Sequence, residues 1–194
     1  LNQGAIYALI ALGYTMVYGI IRMINFAHGD FIMVGAYTLF YTIPLMVAHG
    51  MPAWLSVLVA VVICVCVGVA VEIIAYRPVR GAGSMSALIT ALAMSVFLEN
   101  LAMVLFGANP KSVPAIFDLP SIDFLGAKLQ CKYLLTIGIG LLMMLLLQFF
   151  VKKTRLGKAM RAVPQDKEAS TLMGINVNKI ITITFAIGSG LAAV

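Results

Sequence analysis

Apolar runs of roughly 20 residues, each long enough to cross a bilayer core as helix, follow one another along almost the whole of this 194-residue chain. They cover about 5–21, 31–48, 53–76, 87–106 and 133–151, and a sixth begins at Ile180. A backbone inside hydrocarbon must satisfy its own hydrogen bonds, which leaves only helices or a closed barrel. The period-two alternation of barrel strands is absent. The sequence therefore predicts an all-α, polytopic transmembrane helix bundle with about six spans, in a single domain over residues 1–194. A chain that is 62% hydrophobic and 10% charged has too little polar surface to cover a soluble globule. No short apolar stretch with a small-residue cleavage site suggests a removable leader, so the first run is expected to be retained. The sequence opens on Leu1 without an initiator Met and stops inside an apolar run at Val194, so it is expected to be a piece of a longer protein.

Orientation is read from the basic residues. Ten of the 13 Lys and Arg fall in three connections: Arg22; Arg77 and Arg80; and seven between Lys152 and Lys179. The other two connections hold only Lys111, Lys128 and Lys132, partly offset by Asp118 and Asp123. By the positive-inside rule, 22–30, 77–86 and 152–179 are cytoplasmic and the first residue lies outside. The net charge of +6 is thus a topology signal. Residues 152–179 contain no aromatic side chain to interleave with the basic ones, so nucleic acid is not an expected partner. Cys64 and Cys66 sit two apart on one helix and cannot bridge each other, and no His/Cys spacing suggests a metal site.

Against this background the polar residues inside or between spans stand out. "RMINFAHGDFIMVGAY" (22–37) gathers Arg22, Asn25, His28 and Asp30. Two readings fit: a polar turn at the cytoplasmic surface, with Gly29 allowing the bend, or a helix broken inside the bundle whose freed groups face a cavity. An enzyme that used His28 and Asp30 as base and orienter is a rival reading but not the expected one, because if the segment is helical the two diverge by roughly 200° and no Ser or Cys nucleophile stands beside them in this stretch. In "ALITALAMSVFLEN" the small residues Ala87, Ala91 and Ser95 lead at four-residue spacing to Glu99, and Ala11, Thr15 and Gly19 repeat the device in the first span. Such strips let another helix approach closely. Glu99 has either a structural hydrogen-bonding role or a place on a polar cavity, since a membrane carboxylate should face protein or water. Glu72, one turn before "YRPVR", is expected to form a boundary ion pair with Arg77 or Arg80.

The longest cytoplasmic connection, 152–179, suggests a helix of about ten residues opened by Pro164, with Asp166 and Glu168 at its positive end and Gly174 as its stop. Ala169, Leu172 and Met173 share one face, which suits docking on another protein.

The spacing Glu168-Ala169-Ser170, three residues, Gly174 resembles the EAA loop by which permeases of bacterial ABC importers grip their ATPase. With "INFAHGDFIMVGAY", "YRPVRG", "ALITALAMSVFLENLAMVLFG" and "RLGKAMRAVPQDKEASTLMGINVNKII", the chain from about Gly4 to Val194 resembles the LivH-type permease of branched-chain amino-acid importers. Ser170 stands where the general EAA pattern has Ala, and the downstream Leu-Pro is missing. The resemblance implies translocation of Leu, Ile and Val across a bacterial inner membrane. It implies as partners a second, LivM-like permease, two cytoplasmic ABC ATPase subunits and a periplasmic amino-acid-binding protein. It also implies further spans after Val194. ATPase coupling would fall to Arg161, Pro164, Asp166, Glu168, Ala169, Ser170, Gly174 and Asn176. No "GxxxxGK[ST]" loop is present, so no catalytic residue is expected in this chain, and ATP with its Mg²⁺ would be used by the partner ATPase. A zwitterion with an aliphatic side chain needs a few hydrogen-bonding groups among apolar walls. Asn25, His28, Asp30, Ser95, Glu99 and Asn100 are the candidates for that path. Permeases for urea or short amides share much of this pattern and are the alternative. A channel or facilitator would share the spans but would not need the docking helix.

Overall fold

The computed structural model describes residues 2–22, 24–113, 121–124 and 127–194. In order these form α1 (Asn2–Ile21), α2 (His28–Ala48), α3 (Leu55–Val71), a π turn (Glu72–Tyr76), α4 (Arg77–Val79), α5 (Ser84–Phe106), β1 (Ser121–Phe124), β2 (Ala127–Gln130), α6 (Cys131–Lys153), α7 (Arg155–Ala162), α8 (Lys167–Leu172) and α9 (Val177–Ala192). Four stretches are long and apolar enough to cross a membrane: His28–Ala48, Leu55–Val79, Met85–Phe106 and Leu134–Lys153. Ile6–Ile21 and Val177–Ala192 are shorter apolar helices. The expected all-α bundle is therefore present. An antiparallel hairpin between α5 and α6, which pairs Ser121 with Gln130 and Phe124 with Ala127, was not anticipated. Strands of four residues are too short to register as a pattern in sequence.

α9 is the centre of the bundle and packs against α3, α1 and α2. Close approach explains why small residues line these contacts. A Cβ added at Gly188 would lie 2.6 Å from Val17 Cγ2, and one at Gly35 would lie 3.3 Å from the Ala193 backbone. Gly68 has Ser189 pressed against it in the same way. Val17, Ile21, Phe31, Ile181 and Phe185 fill the space between, together with Met160 and Val163 from the α7 region. The two remaining long helices lie further out: α6 rests on α1 and α7, and α5 rests on the π turn and α2. Exposed Leu141, Leu142, Leu145, Leu146 and Phe149 give α6 an apolar outer face. At the end away from the basic connections, the Lys111 ammonium donates to the Tyr41 hydroxyl at 2.6 Å and sits 4.9 Å from that ring's centre, which ties the segment after α5 to α2.

The two small-residue strips have different fates. On α5, Ala87 and Ala91 are buried, as close approach requires, while Ser95 is half-buried and Glu99 exposed. On α1, Ala11, Thr15 and Gly19 are exposed; the tight contacts of that helix are made instead by Gly13 and Val17, the faces turned to His28 and Gly188.

Glu72 pairs with Arg80, as the sequence suggested, but not at the surface. Its side chain is fully buried. Its second oxygen accepts a hydrogen bond from the Thr182 hydroxyl at 2.6 Å, and Arg80 also donates to the Asn178 side chain at 2.7 Å. Every group that neutralises Glu72 thus comes from the α4 end or from α9, so the network joins the π turn to the central helix. Arg77 stays exposed. Removing one partner of a buried pair leaves a bare charge, so Arg80→Met should destabilise by about 3–5 kcal/mol, whereas the double change Glu72→Leu/Arg80→Met should recover most of that loss. Thermal unfolding of the detergent-solubilised protein checks both.

Candidate functional site

The site is built where α1 gives way to α2. The first helix ends at Ile21, and Arg22 turns out of it with φ of 55°, a left-handed conformation that is uncommon outside glycine. The chain then turns back into the bundle. The His28 ring lies against Gly13, where an added Cβ would be 2.7 Å from the imidazole, and makes an edge-to-face contact with Tyr14 at 6.1 Å. Gly13 is eight residues before the end of α1, which at 1.5 Å per residue is about 12 Å up the helix. His28 therefore lies beside the interior of α1 and not beyond its end. The second helix begins at His28, three residues earlier than the apolar run suggested, and Asn25, His28 and Asp30 are 3%, 2% and 5% exposed. Polarity alone favours a solvated turn here. The segment goes inside because Gly13 leaves room for the imidazole and Tyr76 supplies a partner for the amide.

That partner is specific: the Tyr76 hydroxyl donates to Asn25 Oδ1 at 2.8 Å, and the Tyr76 ring packs on Phe185 of α9 at 5.1 Å. Tyr76 closes the π turn that begins with Glu72, so the break in the chain is held by the same turn that holds α9. Other polar atoms are left over. Asn25 Nδ2, both ring nitrogens of His28 and Asp30 Oδ2 are buried without a hydrogen-bond partner among the described residues. Of the six path candidates, Asn25, His28 and Asp30 lie together at one break, and Ser95 and Glu99 belong to α5, which packs against α2. Asn100 does not join them; it donates to Val96 O at 2.7 Å and lies in a shallow depression with Ile89, Leu92 and Phe97 on the outer face of α5. Tyr14 and Tyr76 were missed in sequence because each reads as one more aromatic in an apolar run.

The second candidate region is the basic connection after α6. Thr154 caps α7, accepting from Gly157 N at 3.0 Å, and Gly157 lies so close to the last carbonyls of α6 that a side chain there would collide with backbone. This helix had not been expected. The docking helix is shorter than predicted, six residues rather than about ten. It is opened by Asp166, whose carboxylate accepts from Ala169 N at 2.9 Å, and not by Pro164, which lies in the turn after α7. The cause is competition: Val163 still belongs to α7 through its bond to Ala159 O, so the next helix starts only where the carboxylate cap begins. Ser170 is buried and donates to Asp166 O at 2.6 Å, whereas Glu168 and Ala169 are exposed. Gly174, with φ of 79°, ends the helix. Asn176 caps α9 by accepting from Lys179 N at 3.0 Å. Arg161 is exposed on α7. Leu172 and Met173 stand out at 88% and 82% exposure.

Membrane-length helices, a polar break buried among them and a capped short helix at the basic end together describe a membrane transport permease. The chain belongs to the family described as branched-chain amino acid transport system / permease component, which it matches over residues 1–194. It is 39% identical to the high-affinity branched-chain amino acid transport system permease protein BraD of Pseudomonas aeruginosa over its full length, and 39% identical to LivH of Escherichia coli K12 over 98% of it. The LivH of Methanocaldococcus jannaschii is 27% identical over 96% of the chain. The chain spans 66% of the first of these relatives, 65% of the second and 59% of the third. No solved structure matches.

The depth of the break is open to direct measurement. In a background without Cys64, Cys66 and Cys131, cysteines placed at Ile24 and Gly29 should react readily with a membrane-impermeant thiol reagent. Those at Asn25 and His28 should react at least tenfold more slowly. Equal rates at all four would indicate a surface turn.

Proposed function

We propose that this chain is the membrane-spanning permease subunit of a bacterial ATP-binding-cassette importer, passing leucine, isoleucine and valine across the inner membrane. It works beside a second permease of the LivM kind, two cytoplasmic ATPase subunits and a periplasmic amino-acid-binding protein. The basic end faces the cytoplasm and the first residue lies outside. The chain binds no cofactor of its own; ATP and Mg²⁺ belong to the ATPase pair. The substrate class rests on the names of the relatives.

The observation that carries the reading is α8. It is fixed at one end by the Asp166 cap and at the other by Gly174, lies among the basic connections, and presents Leu172 and Met173 almost bare. Large apolar side chains on a rigid polar helix call for a partner surface. A channel would have no use for this helix. α8 leads through Gly174 and Asn176 directly into α9, so a partner that moves α8 moves the helix at the centre of the bundle. Closure of the ATPase pair around ATP would be transmitted along that route, and alternating access follows as the spans rock around the buried break.

Two variants test the contact. Glu168→Lys reverses an exposed charge, and Gly174→Trp places bulk where the backbone is left-handed. Each should lower ATP-driven uptake roughly tenfold or more, equivalent to about 1.4 kcal/mol of lost coupling, and weaken co-purification of the ATPase. Full uptake with normal recruitment in both variants would count against docking at α8.

A further inference from the structure

We infer that the buried start of α2 is a subsite for the zwitterionic head of an amino acid, with Asp30 and Glu99 receiving its ammonium and the first turn of α2 receiving its carboxylate. This inference rests on the reading proposed above and specifies which groups distinguish an amino acid from a neutral solute.

Asp30 is 95% buried by its 5% exposure, and its Oδ2 has no partner among the described residues. No Lys or Arg pairs with it or with Glu99 there; the ion pair among the described residues joins Arg80 to Glu72, and Arg80 spends a further bond on Asn178. Ser95 lies one turn before Glu99 on α5, the helix that packs against α2. Asp30 Oδ2 is thus a buried acceptor with no protein cation paired to it among the described residues, and the Ser95 hydroxyl can accept as well as donate. An ammonium is the complementary group: one positive charge and three N–H donors.

The opposite charge has its own receptor at the start of the same helix. α2 starts inside the bundle, so the positive end of its dipole and its first unpaired N–H groups are presented there rather than to cytosol. The N–H groups of Gly29 and Asp30 make no backbone hydrogen bond among the described residues. Asn25 Nδ2, a buried donor without a partner, and the His28 ring, with both nitrogens unpartnered, stand beside them. Access is open at this point. A Cβ added at Gly29 would meet nothing within 4 Å, and Gly29 is exposed although its neighbours His28 and Asp30 are buried. Ile24 and Phe26, 38% and 40% exposed, supply apolar surface next to the gap for an aliphatic side chain. An amino acid brings one charge of each sign and satisfies both receptors without adding net charge. Urea, an amide or a sugar brings no positive charge for Asp30 to pair with.

The test uses the complete importer in proteoliposomes, with both permeases, the ATPases and the leucine-loaded binding protein, and reads uptake of labelled L-leucine per assembled complex. Asp30→Asn keeps shape and hydrogen bonding but removes the charge, and should cut kcat/KM for leucine at least tenfold. Asp30→Glu should restore at least a third of it, a rescue that a purely structural role for the side chain would not give. Glu99→Gln, at an exposed position where folding is not at stake, should raise KM several-fold with little change in kcat. The inference is overturned if Asp30→Asn transports leucine with the parent KM and kcat, or if, in complexes where Asp30→Asn does not assemble, Glu99→Gln leaves KM unchanged. Failure of the underlying reading is seen separately, in the unmutated importer: uptake of a neutral amide and not of leucine would remove the amino-acid assignment before any variant is compared.

Discussion

A carboxylate with no water around it can remain charged only if the protein supplies its counter-charge and hydrogen bonds. Glu72 is in that position, and the rest of the bundle is arranged around how it is satisfied. Arg80 reaches back from the next turn, and Thr182 reaches across from α9. Arg80 in turn holds Asn178, one turn before Thr182 on the same helix. The central helix is therefore pinned at two points by polar bonds, to the π turn and to Arg80 just after α4. Above them the contact is made by small residues, Gly68 on Ser189 and Gly35 on Ala193, where van der Waals packing is the main available attraction. Polar bonds set the register of α9, and the glycines then allow the approach that this register demands.

The π turn is where this arrangement becomes useful. A π turn adds a residue to the helical repeat and so shifts the direction of the side chains beyond it. Glu72 at its start faces α9, and Tyr76 at its end faces both Phe185 and the Asn25 amide. Without the Tyr76 hydroxyl, Asn25 would be a buried side chain with neither end satisfied. The broken segment between α1 and α2 is thus stabilised by groups that also fix α9. His28 and Asp30 are then left with unpartnered atoms at the start of α2.

Much of the fold was legible in the sequence because bilayer thickness sets the length of each span and hydrocarbon forbids unpaired backbone. The run from 87 to 106 and the helix Ser84–Phe106 differ by three residues at one end. The Glu72 pairing was legible too, from a carboxylate one turn ahead of two arginines, although its burial was not: depth is set by α9, which lies more than 100 residues away in sequence. The same limit explains the break. Nothing local in "RMINFAHGDF" distinguishes a solvated turn from a buried one, because the difference lies in Gly13 and Tyr76, residues that read as ordinary members of apolar spans. At α8 the residues were found but the start was misplaced, since proline at a first helical position and aspartate at a cap are both good openings. Only the continuation of α7 through Val163 decides between them.

Two regions of polar chemistry therefore lie at opposite ends of one connected set of contacts. α8 joins α9 through the left-handed Gly174, and Asn176 caps α9 so that its first turn is well defined. Asn178 and Thr182, on the next two turns, hold Arg80 and Glu72; Glu72 opens the π turn, and the π turn ends in the hydroxyl that holds Asn25. The helical segments in this series are short, and each junction is a hydrogen bond or an ion pair, an interaction that is made or broken rather than stretched. On the proposed reading, a partner that displaces α8 acts on a series of discrete bonds whose last member positions the break. The break, in turn, holds unsatisfied donors and acceptors from Asn25, His28 and Asp30. A transporter needs its binding groups to change exposure when its motor moves, and here the groups that would bind are anchored to the helix that the motor would push.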